Sequence, residues 1–112
     1  MVATFVRVSD DSELDRLFDQ SHENSVVLYL HDPYCPISAR AYDRVTDAGG
    51  DVHLIDVSRQ HALNRAVEQR TGVRHESPQA FVLRDGKPVW YASHNRISTE
   101  SLAYARDSDL VD

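Results

Sequence analysis

An α/β fold with a mixed central sheet and helices on both faces is what this sequence predicts, and three observations predict it. β-rich runs alternate with helix-period runs through most of the chain, which implies parallel strand pairing. The run VVLYLH (26–31) is continuously apolar, as suits a central strand covered on both faces. The stretch QAFVLRDGKPVWYAS (79–93) sets the tight-turn pair Asp85-Gly86 between two β-rich runs, which adds an antiparallel hairpin. The expected order is β-α-β-α-β-α-β-β-α within a single domain, 1–112.

VATFVRV (2–8) is β-branched and partly alternating, so it reads as the first strand. In SDDSELDRLF, Asp11 or Ser12 can cap a helix, and Leu14, Leu17 and Phe18 share one face at i, i+3, i+4. After the apolar strand 26–31, PISARAYDRVT (36–46) spaces Ile37, Ala41 and Val45 as a helix. Pro36 lies in its first turn, where a missing N–H is harmless. Ala48-Gly49-Gly50 ends it, and VHLIDV (52–57) is the third strand. In SRQHALNRAVEQRTG (58–72), Ser58 is the expected cap, Leu63, Ala66, Val67 and Arg70 give helical spacing, and Gly72 suits the exit. Pro88 can donate no ladder bond, which puts its strand at a sheet edge. Ser98 starts a short last helix with Leu102 and Ala105, and the acidic tail RDSDLVD is expected to fray.

The composition, 41% apolar and 27% charged over 112 residues, is ordinary for a globular protein. A net charge of −6 argues against binding a phosphate polyanion, so no nucleic-acid partner is expected. No run approaches the length needed to span a bilayer, so no membrane partner is expected either. The N-terminal residues have neither a basic start nor an apolar signal core. With one cysteine there is no intramolecular disulfide to form, which favours the reducing cytoplasm. Six histidines invite a metal, yet no pair shows the i, i+4 spacing of helical zinc sites, and none is expected.

That one cysteine, Cys35, stands in LHDPYCPISARAY (30–42), in the loop that leaves the second strand and enters the second helix. Ligands on open α/β sheets collect at the carboxyl ends of strands, so the position is one where chemistry occurs. Thiolate is the attacking form of cysteine. The unpaired amides of a helix N-terminus, here Ile37 and Ser38, are expected to point at the sulfur and favour its ionisation, with the Ser38 hydroxyl donating as well. His31 adds to this only if protonated. The bland alternative is that Cys35 is a small buried hydrophobe.

The element order, together with CPIS (35–38), GVRHESPQ (72–79) and GKPVWYASH (86–94), resembles the thioredoxin fold and, within it, the bacilliredoxin-type monothiol family of the bacillithiol system called YtxJ. The resemblance covers about Val26 to Ala105. It implies a monothiol thiol-disulfide oxidoreductase that removes or transfers bacillithiol, a cysteinyl-glucosamine-malate thiol, on protein cysteines through a mixed disulfide. Bacillithiol would be a co-substrate, no cofactor would be tightly bound, and the partners would be thiol-modified client proteins and the small thiol itself. Cys35 falls on the redox cysteine. Ser38 falls where dithiol relatives carry the resolving cysteine, and Pro78 on the proline that is cis and faces the active cysteine. Leu30 stands where the family often has a lysine, and Tyr29 where thioredoxins keep a buried acid.

The resemblance also gives roles to neighbours. A cis Ser77–Pro78 bond would turn the Ser77 backbone towards an extended client segment, as an added strand pairs. Pro36 and His75 are expected at the substrate cleft, and His94 is a further candidate for its lining. Arg74 and Arg40 are candidates for a malate carboxylate, since a guanidinium matches that geometry. Two rival readings stay open: an iron–sulfur cluster-binding protein like the monothiol glutaredoxins, against which Pro36 counts, and a non-catalytic interaction module that has kept only the fold.

Overall fold

The computed structural model of the protein describes residues 2–108. A five-stranded sheet forms its centre, with strand order β1-β3-β2-β4-β5. The strands are β1 (Thr4–Arg7), β2 (Val26–His31), β3 (Asp51–Asp56), β4 (Gln79–Arg84) and β5 (Lys87–Ser93). β3 pairs in parallel with β1 and β2, while β4 runs antiparallel to both β2 and β5. The helices are α1 (Asp11–Gln20), α2 (Pro36–Ala48), α3 (His61–Thr71) and α4 (Thr99–Asp107), with one 3-10 turn, His94–Arg96, before α4.

The period-2 alternation of the strands divides the core in two. Val26, Leu28 and Leu30 of β2 join Leu14, Leu17 and Phe18 of α1 and Leu63 and Val67 of α3 on one face. Val27 and Tyr29 join Ala41 and Val45 of α2 and Leu102 of α4 on the other. β2 is therefore buried from Val26 to Leu30, as its apolar run requires, and only His31 at its end is half-buried. Across the first face, Arg70 of α3 pairs with Asp15 of α1 and lies over the Phe18 ring.

Element ends follow local chemistry, and some expected caps shift. Asp10, not Asp11 or Ser12, caps α1: it has extended backbone and its carboxylate accepts from the Glu13 N–H at 2.9 Å. Ser58 does not cap α3. The Asp56 carboxylate takes both its N–H and its hydroxyl, and the resulting turn delays the helix to His61. Gly72 ends α3 in the left-handed region, as expected of an exit glycine. Asp85 and Gly86 both take positive φ, the requirement of a tight hairpin turn. Pro88 lies on β5, at the sheet edge. Ser98 caps α4 by accepting from the Ser101 N–H. Of the tail expected to fray, Arg106 and Asp107 belong to α4, where Arg106 donates to the Ala48 and Gly49 carbonyls. Residues 109–112 lie outside the described residues.

Candidate functional site

β2 ends at His31, opposite Asp56 of β3. β4 runs the other way, and its first residue, Gln79, lies opposite Leu30 of β2 on one side and Ser93 of β5 on the other. The register thus brings three segments to one end of the sheet: the loop from His31 to Cys35, the segment ending at Pro78, and the turn that follows Ser93. None of these neighbours is close in sequence.

Cys35 occupies the N-cap position of α2 with extended backbone, φ −111° and ψ 123°, and Pro36 follows at the helix start. Its N–H donates to the Asp32 carbonyl at 3.1 Å, closing a tight turn, and its carbonyl accepts from Ala39. The thiol is free and half-buried. The expected cap bond is not made: the sulfur accepts from neither Ile37 nor Ser38. Ser38 shows why its hydroxyl does not help. It is fully buried, and its Oγ accepts from the Asp32 N–H at 3.3 Å, so the side chain ties down the loop rather than facing the sulfur.

Beneath the loop lies Tyr29, fully buried where an acid stands in thioredoxins. Its hydroxyl donates to the Ser38 carbonyl at 3.0 Å. The oxygen is then left to accept, so its 3.3 Å contact with His31 Nδ1 assigns the ring proton there and leaves Nε2 as an acceptor. Burial pushes the Tyr29 phenol well up, so it stays neutral and acts as a fixed hydrogen-bonding post. Burial likewise holds the His31 imidazole below its ordinary value; Asp56 and Asp32 oppose this and Arg7 adds to it. His31 therefore brings no positive charge to the loop at neutral pH. Its ring sits 5.0 Å from that of Tyr42, which stacks on Phe5.

The Ser77–Pro78 peptide is cis. Pro78 is buried and its carbonyl accepts from the His94 N–H at 2.9 Å. Ser77 is half-buried, and among the described residues its peptide groups have no partner. Gln79 secures the segment from below, with its amide donating to the Arg74 carbonyl and its Oε1 accepting from the Glu76 N–H. His75 donates its backbone N–H to the Glu68 carboxylate, while its Nδ1 is buried with no partner among the described residues. Arg74 and Arg40 are both exposed. Among the described residues no three His, Cys, Asp or Glu side chains converge as metal ligands would.

A cavity of about 510 Å³ opens beside Pro78, lined by Glu76 and by residues 91–96. His94, which sequence reasoning placed at the cleft only as an option, lines it; Asn95 and Arg96 had not been singled out. The one local signal was the run His-Asn-Arg between a hairpin and a capped helix, which is too common to mark a site.

The family profile described as monothiol bacilliredoxin BrxC matches residues 6–102. Among solved structures, one described as a candidate oxidoreductase with a thioredoxin fold is 30% identical, with a TM-score of 0.82 over 92% of this chain and 94% of that one. A mutant thioredoxin from Halobacterium salinarum NRC-1 is 23% identical, with a TM-score of 0.70 over 96% and 94%. Trxlp from Edwardsiella tarda EIB202 is 17% identical, with a TM-score of 0.65 over 94% and 100%. The last two bear on the fold alone.

Proposed function

The chain belongs to the monothiol bacilliredoxin family, and from that premise we propose that it removes or transfers bacillithiol on the cysteines of client proteins through a mixed disulfide at Cys35. Family and fold already give it a thiol redox role. The observation that carries the finer reading is the register that brings to one end of the sheet a half-buried cysteine whose thiol makes no cap bond and a Ser77 peptide without a partner among the described residues.

The Cys35 thiolate attacks the small-thiol sulfur of a modified client. The new Cys35 disulfide forms as the client disulfide breaks, and the client sulfur leaves as a thiolate that takes a proton from water. Oxidation state is exchanged between sulfurs, and no outside electrons enter. The Ser77 N–H and C=O pair with an extended stretch of the client. Ser38 cannot form a disulfide, so the adduct stays on Cys35 until a free low-molecular-weight thiol attacks it. That second exchange frees Cys35 and releases a disulfide of the two small thiols. The setting proposed is the cytoplasm, where such thiols are kept reduced.

The test is to incubate the protein with a bacillithiolated client and follow the intact masses of both. The adduct is expected to move to Cys35, and Cys35→Ser to abolish the transfer. A variant that transfers as well as the wild type overturns the mechanism.

A further inference from the structure

The cavity beside Pro78 has a chemical character of its own. Its wall is the turn His94–Arg96, and that turn is fixed from several directions. His94 holds a left-handed backbone, φ 55°, uncommon for a residue with a side chain. Its N–H bonds to the Pro78 carbonyl, and Arg44 of α2 donates to the carbonyls of His94 and Ile97. Within the cavity, Glu76 and His94 face each other at 4.0 Å. Arg96 has no such partner: among the described residues it makes neither an ion pair nor a hydrogen bond, and the same holds for the Asn95 amide. Ser93 and the half-exposed ring of Tyr91 complete the lining. In a chain of net charge −6, a rigid turn thus offers an unmatched guanidinium to a cavity next to the reactive loops.

The distance fits a ligand of definite size. Cys35 follows β2, and the cavity lies at β5, two strand spacings away across β4. Two spacings are roughly 10 Å. A conjugate three residue-lengths long spans about that distance when extended.

We infer that this cavity is the subsite for the carboxylate-bearing end of the small thiol whose sulfur is exchanged at Cys35, with Arg96 and Asn95 as its binding residues. The inference rests on the exchange reaction proposed above and adds a selectivity to it: the protein prefers thiol adducts with a carboxylate remote from sulfur. Arg96 supplies two parallel donors to the carboxylate, and the Asn95 amide a third. Glu76, the one acidic residue of the lining, stands 4.0 Å from His94 Nδ1.

Two measurements test it. In the first, one client peptide is conjugated to bacillithiol, to cysteamine or to 2-mercaptoethanol, and transfer to Cys35 is followed by mass. The wild type is expected to prefer the bacillithiol conjugate. Arg96→Gln should raise KM for that conjugate on the order of tenfold, leave the mercaptoethanol conjugate within about twofold, and leave kcat unchanged. Arg96→Lys should recover part of the loss. In the second, S-methyl bacillithiol, which cannot exchange, is titrated into the labelled protein, and the Asn95 and Arg96 amides are expected to shift. Equal use of the three conjugates by the wild type overturns the inference, as does an equal loss on all three in Arg96→Gln. If the shifts appear but no adduct ever reaches Cys35, the subsite stands and the exchange reaction falls. If the preference disappears with a second client peptide that lacks acidic residues, the anion belongs to the client and the inference is wrong.

Discussion

At the scale of single residues, Tyr29 and Ser38 define how this site differs from a dithiol one. Both are fully buried, and both bond to the loop or to the first turn of α2. Tyr29→Phe removes a buried hydroxyl and leaves His31 Nδ1 without its partner. A loss of about 1–3 kcal/mol is expected in urea unfolding, with Cys35 still able to accept an adduct. Ser38→Cys places a thiol three residues along the same first turn, within reach of a disulfide. In that variant the adduct on Cys35 should become transient, giving way to an internal disulfide that mass spectrometry reads as a loss of two hydrogens.

Two histidines give the protein a pH dependence with a definite sign. Burial holds both His31 and His53 below their ordinary value of 6.5. The unfolded chain therefore binds these protons more tightly than the folded one, and stability rises with pH across the window between the two. Stability from this source is complete above about 6.5 and is lost as pH falls through the lowered folded values. Thermal midpoints measured from pH 7.5 downwards should drop on the acid side of 6.5, and a His53→Gln variant should flatten that drop. A midpoint that rises on acidification contradicts the assignment.

Elements show how far pattern reading carries. The apolar run 26–31 is β2 to the residue, and Ser98 caps α4 as its position before a helical pattern suggests. Removing that cap in Ser98→Ala should cost about 1 kcal/mol, measured as a shift of the denaturation midpoint at constant slope. The other caps were less legible for a physical reason. Ser9, Asp10, Asp11 and Ser12 are all competent, and only the backbone turn selects Asp10. Ser58 was claimed first by Asp56, a carboxylate at the end of β3. Cys35 sits where a cap should be, but a thiol is a weak acceptor and makes no cap bond.

For the whole molecule, the sheet is a partition between two cores, each closed by a pair of helices. Phe81 on β4 is fully buried in one of them and touches the half-exposed ring of Tyr91 on the edge strand. Phe81→Ala should cost about 3–5 kcal/mol, a large part of the roughly 5–15 kcal/mol typical of a domain. Chemical denaturation read by tryptophan emission from Trp90 would report it. A loss below about 1 kcal/mol would mean that the two cores compensate for each other.

The sequence by itself determined the element order, the central place of β2, the edge place of β5 and the position of Cys35 at the entry to α2. Each of these follows from residues within one segment, whose periodicity, caps and turn residues act over a few positions. Only the tertiary structure decided that the turn of Arg96 lies at the same end of the sheet as the carboxyl end of β2, that Ser38 faces inward, and that burial holds the His31 imidazole below its ordinary value. Those outcomes depend on strand register and burial, which bring together residues dozens of positions apart and take water away from them.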